Sequence, residues 1–251
     1  MATRTIDGEP TGLNALFEFF GMNRTMRLDV GHPLRAMRHL SHPERIDTVS
    51  DLVEFYDLEV VARVVTKHLL GRGYDERLLH DLRSARDFVA LRLEAVVLSE
   101  LLEGVVESVR WSRYEDATPD LITAGPSLQV ECTLMDGFDI DGMLNRAFAK
   151  LDQRRPGLGA YVVVVGTNEE RFAPLIEDLT AAPRKKLEQW LPRHPEVAAF
   201  HFLRPRSLHD TDRLSEIPDG YLLQGTRLSG VTIRSKVAEE PLPAGFENNW
   251  I

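Results

Sequence analysis

The run AYVVVVG at residues 160–166 narrows the fold more than any other feature of this chain. Its side chains alternate between no two environments, because every position is apolar. A strand can carry such a run only if both of its faces are covered, as happens inside a sheet with helices on each side. VAAFHFL (197–203) repeats the pattern. Between the two, Glu169–Leu191 reads as mainly helical with a break or kink at Pro183, and Pro192 and Pro195 end it. Ahead of the first run, DIDGMLNRAFAKLDQRR (139–155) reads as a helix stopped by Pro156, Gly157 and Gly159. Ahead of that, PDLITA (119–124) and LQVECT (128–133) read as short strands around Gly125-Pro126. A hairpin feeding a crossover helix and a parallel strand makes a mixed sheet. The expected class is α/β (α+β), a mixed central sheet flanked by helices, with 160–165 parallel to 128–133.

The N-terminal part reads differently. Leu13, Leu16, Phe17 and Phe20 have helical spacing, and Val60, Val61, Val64, Val65 and Leu69 continue an apolar stripe that Gly71 and Gly73 end. A further helix runs from about Glu76 to Val109, with one break near its middle. After Arg204 the chain is rich in Pro, Gly and Asp, with a strand expected near Tyr221–Gln224. These shifts divide the chain into an N-terminal helical region (1–75), an α/β core (76–210) and a C-terminal extension (211–251). No apolar run approaches the roughly 20 residues that span a bilayer. The N-terminus carries no apolar signal segment, and the single cysteine, Cys132, rules out an internal disulfide and a multi-cysteine zinc site. A reducing, cytoplasmic setting is the expectation. The net charge of −9 argues against coating nucleic acid through bulk charge, but not against meeting phosphate through a bound cation.

The hairpin carries the chemistry. With the turn centred between Gly125 and Pro126, either as a two-residue loop in the type II′ form that glycine in the first central position suits or as a four-residue loop about the same centre, Ile122 pairs with Gln129 and Asp120 with Glu131. Opposed β-carbons lie about 5 Å apart, so two like charges there repel unless something compensates. A divalent cation such as Mg²⁺ or Mn²⁺ compensates, since it takes carboxylate oxygens plus substrate phosphate. The competing reading is two solvated carboxylates on an open face. Glu94, on the preceding helix beside Val97, Leu98 and Leu101, is a candidate third carboxylate.

A glutamate-bearing helix, Pro119-Asp120 at a strand start, Glu131-Cys132-Thr133 in the next strand, a helix with Lys150 and Gln153, and then a β-branched strand resemble the PD-(D/E)xK nuclease superfamily. The resemblance covers about residues 90 to 166. It implies a restriction-endonuclease-like core and Mg²⁺-dependent (or Mn²⁺-dependent) cleavage of nucleic acid, DNA ahead of RNA. It also implies metal ligation by Asp120, Glu131 and the backbone carbonyl of Cys132, with Glu94 near the metal. The motif departs from the pattern at Thr133, where lysine is expected. Lys150 is the candidate replacement, lying with Arg146 and Gln153 at i, i+4 and i+7 on one helical face. The catalytic set is then Asp120, Glu131, Lys150, Thr133 and Gln153, with Arg146, Arg154 and Arg155 as nucleic-acid contacts. The alternative is a nuclease fold without activity that binds nucleic acid or a protein partner. Nucleic acid is the expected partner, no membrane is, and a homodimer is left open.

Other patterns carry less. His39 and His42 have i, i+3 spacing beside His32, but no HExxH accompanies them. In DGFDIDG the twelfth loop position from Asp139 is Lys150, not the glutamate of a calcium loop. Arg184, Lys185 and Lys186 beside Trp190, and Arg204 with Arg206, read as solvated charge.

Overall fold

The computed structural model describes residues 61–104, 106–135, 139–167, 182–203 and 230–243. Residues 61–68 are helical, and Gly71 and Gly73 follow at positive φ, the conformation glycine adopts without steric cost. Helix α1 (Asp75–Arg83) and helix α2 (Ala85–Gly104) come next. The strands are β1 (Ser108–Trp111), β2 (Leu121–Ala124) and β3 (Leu128–Met135). Helix α3 (Ile140–Ala149) leads to β4 (Ala160–Thr167), and helix α4 (Ala182–Trp190) leads to β5 (Val197–Leu203). Strand β6 is Gly230–Arg234. The six strands form one sheet in the order β1-β2-β3-β4-β5-β6. It is mixed: β3, β4 and β5 are parallel to one another, and β1–β2, β2–β3 and β5–β6 are antiparallel.

The apolar runs go where their composition sends them. Val162 and Val164 of β4 pack with Leu128, Val130 and Cys132 of β3 against α2 and against Val61, Val65 and Leu69. Tyr161, Val163 and Val165 face the other way, onto Met143, Leu144 and Ala147 of α3 and Leu187 of α4. Residues 160–166 of β4 are all buried because each face has its own helical layer. The sheet draws on both flanking regions of the sequence. Residues 61–69 belong to one core layer, and β6, from the 211–251 segment, is the sixth strand.

Several expectations need correction. The one break expected in the 76–109 helix is present but falls at Ser84, ahead of the middle: Ser84 leaves helical geometry and its Oγ accepts the Asp87 N–H at 3.3 Å, starting a new helix. The second helix stops at Gly104, and Ser108–Trp111 forms an edge strand that the expected helix had overrun; its alternating burial is a strand's period, not a helix's. In the hairpin, Ile122 pairs with Gln129 as expected, and Leu121 with Val130. Strand β2 begins at Leu121, however, so Pro119 and Asp120 stand just outside it. The turn is not type II′. Its Gly125–Pro126 bond is cis, and Thr123 closes it by donating to the Pro126 carbonyl at 2.7 Å and accepting the Leu128 N–H at 2.9 Å. The helix expected over 139–155 is capped by Asp139 and ends at Ala149. Lys150 is its C-cap, and Leu151–Gln153 turn as a 3-10 helix. The strand near 221–224, the helical stretches before residue 61, His32, His39, His42, Arg204 and Arg206 lie outside the described residues.

Candidate active site at the end of the hairpin

Strand β3 is longer than β2, and the site forms where β2 runs out. The last pair of their ladder is Leu121 with Val130. Beyond it the Cys132 N–H would lack a ladder partner, and the Asp120 side chain takes it, Oδ2 accepting at 2.8 Å. Asp120 is thereby fixed across from Glu131. Glu131 lies fully buried in β3, which excludes the reading of two solvated carboxylates on an open face. Lys150, at the C-cap of α3, donates from Nζ to Glu131 Oε1 and stands 3.8 Å from Asp120 Oδ2. Lys150 lies one turn after Arg146, which also reaches β3 by donating to the Leu134 carbonyl.

Glu94 enters from α2 on the other side. It is 4% exposed. Its Oε2 accepts Trp111 Nε1–H at 2.7 Å, and its Oε1 pairs with Arg113. Arg113 also donates from Nε to Asp81 Oδ2 at 2.8 Å, and the Tyr114 hydroxyl donates to the same oxygen at 3.0 Å. Glu94, Arg113, Asp120, Cys132 and Lys150 line one cavity of about 590 Å³.

The charges are strongly coupled. Burial, with Asp120 adding to it, pushes the Glu94 carboxyl up to about 8 against the pull of Arg113 and the Trp111 hydrogen bond. Burial, then Asp120, raises Glu131 well above the carboxylate range, and Lys150 opposes both. Burial alone would lower the Lys150 ammonium, but Asp120 and Glu131 outweigh it and hold the lysine charged. Burial also pushes the Cys132 thiol up, so it is a neutral wall, not a nucleophile.

Whether a divalent cation fits can be judged from the donors. Four carboxylates, Asp81, Glu94, Asp120 and Glu131, share two cations, Arg113 and Lys150. Fully ionised, the cluster carries two surplus negative charges. Glu131 Oε2 is buried and has no hydrogen-bond partner, an arrangement that is costly for a carboxylate. An all-oxygen donor set with an orphan carboxylate oxygen suits a hard cation such as Mg²⁺ or Mn²⁺. Among the described residues no three His, Cys, Asp or Glu side chains already converge as ligands. The Lys150 ammonium stands between Asp120 and Glu131, where it supplies the compensation that their pairing demands.

The remaining predicted residues fall outside this cluster. Thr133 is buried two positions beyond Glu131, in register with Val165. Gln153 sits in the 3-10 turn, so the expected face of Arg146, Lys150 and Gln153 is broken after its second member. Arg146 donates to the Leu134 carbonyl at 2.9 Å. Arg154 pairs with Glu239 at 2.7 Å, and Arg155 is exposed. Lys186 pairs with Asp141 at 2.6 Å, and Trp190 stacks on His194. Trp111, Arg113 and Asp81 were missed. The signal was the alternation in SVRWSR, which as a strand turns Val109, Trp111 and Arg113 to one side.

Comparison with protein-family models, with curated proteins and with solved structures finds no match. Among the described residues no helix is long and apolar enough to cross a membrane.

Proposed function

We propose that this chain is a divalent-metal-dependent nuclease of the PD-(D/E)xK type, hydrolysing phosphodiester bonds in nucleic acid, with DNA ahead of RNA and a reducing, cytoplasmic setting. The observation that carries the reading is the contact of Lys150 with Glu131 beside Asp120. It supplies, from the end of α3, the ammonium that the motif would have carried at Thr133. A mixed sheet with Asp120 just ahead of β2 and Glu131 within β3 is consistent with a restriction-endonuclease-like core.

In this reading Asp120, Glu131 and the Cys132 carbonyl would hold Mg²⁺ or Mn²⁺. Such an ion, when bound, supplies a low-pKa water and neutralises phosphoryl charge. The chain's own residues do the rest. The Asp120 carboxylate is oriented by the Cys132 N–H. Lys150, released from Glu131, donates to the phosphoryl oxygens as their charge grows. Of the three arginines, Arg155 is the one proposed to meet backbone phosphate, since it is exposed while Arg146 and Arg154 make contacts within the fold. The binding-only alternative draws on Thr133, and the Lys150 contact weighs against it.

The test is cleavage of supercoiled plasmid and of single- and double-stranded oligonucleotides with Mg²⁺, Mn²⁺ or chelator. Cleavage that requires the divalent ion is expected. No cleavage of any substrate with either ion would favour the binding-only reading.

A further inference from the structure

A nucleic-acid strand entering a cavity walled by carboxylates needs cations to meet its phosphates, because like charges otherwise oppose it. Two cations of that wall are already matched. Arg113 pairs with Glu94 and Asp81, and Lys150 pairs with Glu131 beside Asp120. Helix α1 supplies two more. Its Leu78 and Leu82 are buried, while Arg77 and His80, one turn apart, are exposed and line the same cavity as Asp120 and Lys150. Arg77 donates from Nη1 to the Tyr114 carbonyl at 3.2 Å. That partner is neutral, so the guanidinium keeps its charge for something else. The His80 side chain is 77% exposed, and its Nε2 stands 3.9 Å from Asp87 Oδ2, too far for a hydrogen bond. The lip is not free to drift. Asp81, the residue after His80, accepts from Arg113 Nε and from the Tyr114 hydroxyl, which ties α1 to the chain that follows β1. One exposed carboxylate on the same wall works against a phosphate, that of Glu76.

We propose that Arg77 and His80 form a strand-binding lip on the cavity, contacting backbone phosphates beside the one that reaches Asp120 and Lys150. The inference rests on the nucleic-acid reading of this site and adds where the strand lies: along α1. Phosphate contacts set the register of a strand and carry no base information, so the lip would act on any sequence.

Oligonucleotide binding by the full chain, followed by fluorescence anisotropy in chelator so that no strand is cut, tests this apart from catalysis. Arg77→Gln keeps an amide donor for the Tyr114 carbonyl but loses the charge. It is expected to weaken binding by about 3- to 10-fold at ~0.1 M salt, and to flatten the slope of log Kd against log salt by about one, the mark of one lost phosphate contact. Arg77→Lys should stay within about 2-fold of the wild type, since the charge is retained. His80→Ala should weaken binding several-fold. Glu76→Gln should tighten it, because a like charge leaves the same wall. A purely structural role for α1 would not give these opposite signs or move the salt slope. All three positions are exposed, and thermal melts establish that each variant is folded. Wild-type affinity and salt slope in Arg77→Gln and His80→Ala, with no tightening in Glu76→Gln, would overturn the inference alone. A wild type that binds no oligonucleotide, in chelator or in Mg²⁺, would overturn the nucleic-acid reading beneath it.

Discussion

Lys150→Ala is expected to reduce nucleic-acid cleavage by roughly 10²–10³-fold, the scale seen when a donor aimed at developing transition-state charge is removed. The same variant should bind Mn²⁺ at least as well as the wild type. In the folded chain the Lys150 ammonium occupies the gap between Glu131 Oε1 and Asp120 Oδ2, so an incoming cation competes with it. Removing the lysine removes the competitor along with the catalytic donor. The two effects have opposite signs, which separates this role from a general loss of structure. Lys150→Ala combined with Thr133→Lys should regain part of the activity, because residue 133 lies on the same face of β3 as Glu131, two positions on. The measurement is single-turnover cleavage of a labelled oligonucleotide beside a calorimetric Mn²⁺ titration. Equal loss of metal affinity and of cleavage in Lys150→Ala would refute a separate catalytic role.

The second large effect concerns Asp120. Asp120→Asn should abolish Mn²⁺ binding at concentrations that saturate the wild type, while the chain stays folded. The substitution keeps the volume, and the amide oxygen can still accept the Cys132 N–H. Wild-type binding should itself depend on pH in a defined direction. Burial and Asp120 raise the proton affinity of Glu94 and Glu131, the former to about 8, and ligation must expel those protons. Affinity should therefore rise as pH increases through about 8 and fall below it. Without metal the linkage runs the other way for stability. Between the ordinary carboxylate pKa near 4.5 and about 8, the folded chain holds a proton on Glu94 that the unfolded chain has lost. The melting temperature in chelator should thus drop as pH rises across that window. Titrations and melts from pH 5 to 9 check both slopes, and a pH-independent affinity would contradict the role of these buried acids.

The parts of the site legible in the sequence were those set by strand period and turn position. AYVVVVG and VAAFHFL declare strands covered on both faces, and they became β4 and β5 in the middle of the sheet. The centre of the Gly125-Pro126 turn was enough to place Gln129 opposite Ile122, although the turn itself took another form and the ladder stops at Leu121, leaving Asp120 just outside β2. Burial was not legible at Glu131. Alternation with Val130 and Cys132 suggested one polar face, whereas α3 covers that face as well. Lys150 was legible from its helical spacing after Arg146, and it reaches Glu131 from the C-cap of a helix that ends one residue earlier. The Trp111–Arg113–Asp81 support went unseen because apolar spacing carried a helix through Val109. Four residues of edge strand contain too few alternations to outweigh a long preceding helical stripe. Strand β6 was hidden for the same reason, being five residues in a segment otherwise rich in turn formers.

The most direct test of the central claim is a crystal soaked in Mn²⁺ and measured at an anomalous wavelength. A peak bonded to carboxylate oxygens of both Asp120 and Glu131, with the Lys150 ammonium moved off Glu131, is the predicted result. Density with no peak there at saturating Mn²⁺, and Lys150 still seated between the two carboxylates, would contradict it.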